Sequence, residues 1–184
     1  MAESDDGAHA AVLFDTPIGV CALAWTDRGI VRFRLPESTP DEATMRARFA
    51  RARLREAEPT DLARTVIEAV RRHLTGRFDD FRWIPLDHTG IPEFHRAVYR
   101  VTRSIDPGHT LGYGQVAARA GRPHGAQAVG QAMGRNPIPL IVPCHRVLAA
   151  DHALHGFSAP GGLETKQRLL EIEQTPGFGE PTLF

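Results

Sequence analysis

The first part of the chain alternates short apolar runs with turn residues. In AVLFDTPIGVCALAWTDRGIVRFRLP, residues 11–36, the Val, Phe, Trp and Ile residues favour strands, while DTPIG and TDRG are typical of turns. The pattern predicts three short strands in a meander. Cys21 lies inside the second apolar run, and a free cysteine at such a position is most often a small buried hydrophobe.

Two helical patterns follow. Thr39 has the character of an N-cap, with Pro40 at the first helical position and Glu42 three residues after the cap, so a helix is expected to start there. A second helix, near residues 61–75, is predicted from apolar residues at helical spacing: Leu62, Val66, Ile67, Val70 and Leu74. Residues 77–92 contain Pro, Gly and several polar residues and are expected to connect two domains.

Beyond residue 92 the pattern changes to short helices. PEFHRAVYRVTRSI predicts one helix, and YGQVAARAG and HGAQAVGQAMG predict two shorter ones separated by GRPH. Two short helices joined by a tight turn are typical of the helix-turn-helix, whose second helix fits a DNA groove. The alternative is an ordinary pair of core helices.

Composition narrows the class of protein. The chain has 184 residues, of which 42% are hydrophobic and 24% charged, and its formal net charge is zero. No global positive field therefore attracts nucleic acid or an anionic membrane. Between Pro107 and Ala150, however, there are four arginines, three histidines and no acidic residue. Any attraction for phosphate is expected in this segment.

Targeting signals are not evident. No stretch is apolar enough to span a bilayer, and MAESDDGAHA lacks the order of a signal peptide. The two cysteines lack CxxC spacing, so a disulfide framework or thiolate zinc site is not expected, which suits a reducing compartment. We predict a cytoplasmic protein without membrane contact.

The segment IPLIVPCHRV places a thiol, Cys144, beside two basic side chains. Prolines around it favour an extended backbone, so the thiol is expected where an apolar strand ends. Nearby His145 and Arg146 would lower the pKa of the thiol, and thiolate is the nucleophilic form. An inert buried thiol beside a surface histidine is the alternative.

A resemblance extends this interpretation. NPIPLIVPCHRVL, preceded by AVGQAMGR and followed by GGLETKQRLLEIE, resembles the O6-alkylguanine-DNA alkyltransferase family, whose hallmark is a PCHR motif. The likeness covers about residues 90–175. It implies a helix-turn-helix in the minor groove, rotation of the damaged guanine out of the stack, and one irreversible alkyl transfer to cysteine.

The resemblance also implies an architecture. We expect an α/β protein: a flexible tail at 1–10, a small N-terminal α/β domain with an antiparallel sheet at 11–84, and a mostly helical, winged helix-turn-helix-like DNA-binding alkyltransferase domain at 90–184. Some family members bind zinc in the N-terminal domain, but no matching set surrounds Cys21. No metal and no cofactor are therefore expected.

Five residues match the catalytic machinery of the family: Cys144, His145, Glu173, Asn136 and Tyr113. The resemblance makes Cys144 the alkyl acceptor and His145 the base that takes the thiol proton through a bound water. It makes Glu173 the carboxylate that orients His145, and Asn136 the link between recognition helix and active-site segment. Tyr113 would donate a hydrogen bond to the departing guanine.

Two further sets are expected around this machinery. The DNA-binding set is Gln127, Ala126, Arg135, Gln115, Arg119 and Arg122. The substrate-pocket set is Tyr113, Met133, Val147, Phe157, Ser158 and Ala159. For the carboxylate, Glu171 competes with Glu173.

The sequence departs from the family at two places. Gln127 stands where an arginine usually fills the gap left by the flipped nucleotide, and glutamine has neither its charge nor its planar fork. In the loop HGFSAPGGLE, Phe157 stands where a tyrosine is usual. We therefore expect retained transfer with altered substrate preference.

Three functions follow, with different partners. The leading prediction is a monomeric, single-turnover repair protein acting on duplex DNA with an alkylated guanine, with single-stranded DNA as the alternative substrate. A second is a lesion sensor that binds alkylated bases without transfer. A third, a cysteine hydrolase, requires an oxyanion site and separately placed partners that adjacent Cys144 and His145 do not supply.

Overall fold

A computed structural model describes residues 9–36, 42–150, 154 and 157–179 of the chain. Its strands are β1 (His9–Thr16), β2 (Gly19–Thr26), β3 (Gly29–Arg34), β4 (Leu54–Glu56), β5 (Leu111–Gly112) and β6 (Val147–Leu148). Its α-helices are α1 (Glu42–Arg51), α2 (Asp61–His73), α3 (Glu93–Arg103), α4 (Tyr113–Arg119), α5 (Ala126–Gly134) and α6 (Gly162–Ile172), and a 3₁₀ turn spans Cys144–Arg146. The mixed α/β architecture confirms the predicted fold class.

The N-terminal sheet has the strand order β3-β2-β1-β4. The predicted meander is confirmed, because β1 and β3 both pair antiparallel with β2. Strand β4 was not predicted and pairs parallel with β1, from His9 opposite Leu54 to Ala11 opposite Glu56. The predicted tail at 1–10 is therefore wrong for residues 9 and 10, which this edge pairing draws into β1.

Helix α2 packs on the sheet through the predicted apolar side. The Thr60 side chain accepts a hydrogen bond from the Ala63 amide and caps the helix. Val66 and Val70 are fully buried, and so is His73 in the last turn. The expected N-cap at Thr39 and Pro40 lies outside the described residues, and α1 is described from Glu42.

The second half of the chain contains the predicted helix pair. Helices α4 and α5 pack against each other and against α3. Val116, Ala117, Val129 and Ala132 are fully buried between them. Beside this pair, β5 and β6 form a two-stranded parallel ribbon that pairs Leu111 with Val147 and Gly112 with Leu148.

The segment between α2 and α3 is tied to both halves. Ile30 donates a backbone hydrogen bond to the Pro85 carbonyl and accepts one from the Asp87 amide. From the other side, the Arg103 guanidinium donates to the Phe81 and Ile84 carbonyls. Apolar residues of both halves form one hydrophobic cluster. The division at residues 84–90 stays a prediction.

This attachment depends on a close approach at Gly29. Its φ is +142°, and a Cβ built there would lie 2.4 Å from the Pro85 carbonyl oxygen. We expect Gly29→Ala to lower the free energy of unfolding by about 2–3 kcal/mol in urea denaturation, because backbone on one side must move. Gly76 also has a positive φ, of +87°, but open space around it, so Gly76→Ala should cost only about 1 kcal/mol. Equal losses would contradict a steric role for Pro85.

Candidate active site

The segment before Cys144 is a tight turn closed by one side chain. Oδ1 of Asn136 accepts from the Ile138 amide at 3.0 Å, and Nδ2 donates to the Val142 carbonyl at 2.9 Å. The Val142 amide also donates to the Ile138 carbonyl, and Leu140 has a left-handed φ of 73°. The expected extended strand is therefore wrong, because this side chain supplies the bonds that a neighbouring strand would have made.

Two contacts hold this turn against the rest of the protein. The Phe33 amide of β3 donates to the Pro137 carbonyl at 3.0 Å. The Tyr99 hydroxyl of α3 donates to the Ala132 carbonyl of α5 at 2.8 Å. The end of α5 and the start of the turn are thus fixed from both halves of the chain.

Cys144 begins the 3₁₀ turn and is 6% exposed. Burial raises the pKa of its thiol, which the Asn136 side chain, the charge of Lys166 and the local backbone amides only partly oppose. The expectation of a thiol pKa lowered by adjacent His145 and Arg146 is wrong, because both side chains turn towards Glu173 instead. At neutral pH the thiol is held as the acid and needs a base.

The buried carboxylate of Glu173 accepts hydrogen bonds from the basic residues of the site. Glu173 is 1% exposed, directly after α6, and its Oε1 accepts from Nε2 of His145 at 3.0 Å. Arg146 donates from Nη2 to Oε1 at 2.7 Å and from Nε to Oε2 at 2.9 Å. Glu171 is exposed and bonded to Gln167, so the structure brings Glu173, not its competitor, to His145.

These contacts determine the protonation of Glu173 and His145. Burial favours a neutral Glu173, but the charge and hydrogen bond of His145 and the bonds of His73 and Arg146 hold the pKa of Glu173 well below its usual range. Burial lowers the pKa of His145 despite that carboxylate. With Nε2–H donated to Glu173, the neutral ring has its lone pair on Nδ1, which has no partner among the described residues.

Two residues of the site, Lys166 and His73, were missed in the sequence, and Arg146 was expected to act on the thiol and not on a carboxylate. Lys166 is the only lysine of the chain, is fully buried and donates from Nζ to the Val147 carbonyl at 2.8 Å. Arg146 also donates to the Ile105 carbonyl, and His73 donates to Glu173 from α2. A lysine on the apolar side of α6 was a readable signal. Nothing in the sequence near His73 indicated a partner 100 residues away.

A cavity of about 430 Å³ opens beside the thiol. Its lining contains most of the predicted pocket residues: Tyr113, Met133, Phe157 and Ser158, together with Cys144. Ala159 lines a second cavity, of about 180 Å³, that also reaches Cys144. Val147 is fully buried in β6 and is not among the described residues that line either cavity.

The cavity adjoins the surface formed by α4 and α5. Tyr113 is half-buried, and burial, then the nearby Cys144, raises the pKa of its phenol. The predicted DNA-binding residues belong to α4, α5 and the residues that follow each helix, and all are at least partly exposed: Gln115, Arg119, Arg122, Ala126, Gln127 and Arg135. Two have further contacts, because Oε1 of Gln115 accepts from the Gly112 amide and the Arg122 guanidinium lies 4.9 Å from the centre of the Phe94 ring.

Two features, a metal-binding group and a membrane-spanning helix, are not found in the described ranges. No group of three or more His, Cys, Asp or Glu residues there is placed to hold a metal ion. Within the same ranges, no helix has the length and apolar character needed to cross a membrane.

Solved structures share the overall fold of this chain. Mycobacterium tuberculosis OGT in complex with DNA superposes with a TM-score of 0.71 at 29% identity, covering 91% of this chain and 96% of that one. The O6-methylguanine-DNA methyltransferase of Pyrococcus kodakaraensis has a TM-score of 0.66 at 28% identity, covering 89% of this chain and 98% of its own.

Sequence comparisons agree. Residues 93–175 match the family model described as 6-O-methylguanine DNA methyltransferase, DNA binding domain. The methylated-DNA–protein-cysteine methyltransferase of Mycolicibacterium paratuberculosis is 35% identical over 170 residues, 92% of this chain and 95% of the relative. Its Haemophilus influenzae counterpart is 43% identical over 114 residues, 62% of each chain. This chain belongs to the methylated-DNA–protein-cysteine methyltransferase family.

Proposed function

We propose that this protein repairs DNA by moving the alkyl group of O6-alkylguanine to Cys144 in a single, irreversible transfer. One observation carries the proposal: a buried thiol lines a cavity of about 430 Å³, and the histidine next to it has a free ring nitrogen because its other nitrogen is bonded to a buried carboxylate. A thioether is not hydrolysed, so each molecule acts once.

The chemistry at sulfur needs a base because the thiol is not ionised beforehand. Nδ1 of His145 takes the thiol proton through a water molecule, and Glu173 stabilises the imidazolium that forms. Lys166, whose charge favours the thiolate, assists this step. The sulfur then forms a bond to the alkyl carbon as the carbon–O6 bond breaks.

The base pocket completes the reaction. The departing guanine takes up negative charge at O6 and the ring, and it becomes neutral by taking one proton from water, while His145 returns the thiol proton to water. Tyr113, on the lining of the cavity beside Cys144, donates a hydrogen bond to the guanine as that charge develops.

Docking uses the helix pair. O6 of guanine cannot reach a nucleophile while the base is stacked, so the nucleotide must rotate out of the duplex. Helix α5 lies against the minor groove, and Arg119, Arg122 and Arg135, exposed and without a neighbouring acidic residue in sequence, contact phosphates. Arg146, counted in the same basic segment, is buried and serves Glu173 instead.

Gln127 gives this protein a distinct substrate preference. It is exposed in the first turn of α5, where it can hydrogen-bond the orphaned base but cannot supply a cation. In duplex DNA the damaged base must be unpaired before it can rotate out, and this costs free energy that a single strand does not require. Duplex substrates should therefore be repaired less well than single-stranded ones. The step at sulfur is unaffected.

Transfer is tested directly by intact-protein mass spectrometry. Incubation with an oligonucleotide containing O6-methylguanine should add one methyl group to the wild type and none to Cys144→Ser. Lesion binding without any mass change would sink the transferase assignment and favour a lesion sensor.

Replacing Gln127 tests the docking argument. Gln127→Arg should speed transfer from duplex O6-methylguanine by about tenfold, the value of a single charged base contact. Transfer from a single-stranded oligonucleotide should change much less. Gln131→Arg adds the same charge one turn further along α5, so an equal gain in both variants would show nonspecific attraction instead.

Removing Lys166 tests how the thiol is activated. Lys166→Met should raise the thiol pKa of Cys144 further, since the charge that favours thiolate is lost. Iodoacetamide should then modify Cys144 more slowly at neutral pH, with the difference closing as pH rises. Arg168→Met removes an exposed cation from the same helix and should leave the rate unchanged, while Cys21, whose pKa burial raises to about 12, should not react in any variant. Urea denaturation checks that Lys166→Met stays folded.

A further inference from the structure

A second histidine shares the carboxylate that positions the base. Nε2 of His73, at the end of α2, lies 2.9 Å from Oε1 of Glu173, and both side chains are fully buried. His73 belongs to the N-terminal half of the chain, whereas the rest of the site lies after residue 98. The proposed mechanism does not use it.

The backbone fixes which nitrogen of His73 carries the proton. The Asp79 amide donates to Nδ1 at 3.1 Å, so this nitrogen must offer a lone pair. The neutral ring therefore has its hydrogen on Nε2, aimed at Glu173. Phe78 and Phe81 pack on the ring with centroid distances of 5.7 and 4.8 Å, which holds its orientation.

The shared oxygen is crowded. Oε1 of Glu173 accepts from His73, His145 and Arg146, although a carboxylate oxygen offers about two lone-pair sites. Three donors on one oxygen compete, so each weakens the others. The hydrogen bond to His145 is accordingly weaker than it would be with Arg146 alone.

We propose that His73 is a positioning residue for alkyl transfer, which by donating to Glu173 Oε1 limits how strongly that carboxylate stabilises the charged form of His145. The inference rests on the proposed function, in which His145 must be neutral to accept the thiol proton. His73 touches neither the thiol nor the cavity lining described above and acts only through Glu173.

The expected direction of the change in the pKa of His145 follows from the groups that face Glu173 and His145. Those facing Glu173 are His73 from α2 and His145 and Arg146 from the 3₁₀ turn, and His145 faces Glu173, Arg146 and His73. Loss of the His73 donor leaves more of the carboxylate's charge for His145, and the pKa of His145 rises. His145 acts as a base only above its pKa, where the ring is neutral. A higher pKa therefore moves the acidic limb of the pH–rate profile to higher pH.

Two amide variants, each of which keeps one of the two hydrogen bonds of His73, separate its effect on Glu173 from an effect on packing. His73→Asn places an oxygen near the position of Nδ1, keeping the acceptor for the Asp79 amide while removing the donor to Glu173. His73→Gln places an amide nitrogen near the position of Nε2, keeping that donor and losing the acceptor. Single-turnover methyl transfer is measured from about pH 5 to about pH 9, with the methyl endpoint giving the competent fraction of each protein.

We expect His73→Asn to transfer about three- to tenfold more slowly than wild type on the acidic limb, the value of one hydrogen bond, and to match it at high pH. His73→Gln should keep the acidic limb of the wild type. A uniform rate loss at all pH values, or equal shifts in both variants, would overturn the proposal. A wild type that transfers no methyl group at any pH would overturn the proposed function instead.

A measurement on the wild type does not depend on how the variants fold. Histidine ¹⁵N NMR should show His73 in the tautomer with its proton on Nε2, with the ring signals assigned on the wild type through their connection to the Cβ and backbone signals of the same residue. A proton on Nδ1 of the neutral ring would overturn the inference, whatever the rates.

Discussion

The buried carboxylate of Glu173 is the interaction on which the rest of the site depends. An unpaired charge at 1% exposure would cost several kcal/mol, so the fold must deliver donors to it. They come from the end of α2 and from the 3₁₀ turn, while the carboxylate itself follows α6. Removing Arg146 would leave the charge of Glu173 buried without a cation beside it. The network thereby holds three separate segments in one geometry, and His145 receives its tautomer as a result.

That constraint explains why the pKa of the Cys144 thiol is not lowered by the two basic residues that follow it in sequence. His145 and Arg146 are both committed to Glu173, and burial raises the pKa of Cys144. A protected thiol suits a protein that can react only once, because unproductive alkylation in solution would consume it. Under the proposed function, the thiolate of Cys144 forms when His145 takes the proton with a substrate in the site.

Sequence reasoning succeeded where local pattern decides structure. The three-stranded meander, α2, α3 and the α4–α5 pair follow from periodicity and turn residues, and the PCHR motif identified the family. It failed where distant parts meet: β4 is a three-residue edge strand without alternation, and the Pro137–Val142 turn depends on the Asn136 side chain. His73 could not be assigned, because its partner lies on a segment that only the folded chain brings near. The prolines around Cys144 were interpreted as a sign of extended backbone, but they are compatible with a turn as well as with a strand.

The structure also separates the two demands that repair places on the protein. The groups around the thiol are held by contacts inside the protein: His145 by Glu173, the turn before Cys144 by Asn136, and Lys166 by the Val147 carbonyl. Gln127 lies in the exposed first turn of α5, and it has no hydrogen bond to that network among the described contacts. Under the proposed function, a change at this position alters the energy of base rotation while the contacts around Cys144 keep their geometry. On that proposal, glutamine in place of arginine weakens docking and leaves the chemistry at sulfur unchanged, because Gln127 shares no described hydrogen bond with the carboxylate or its donors.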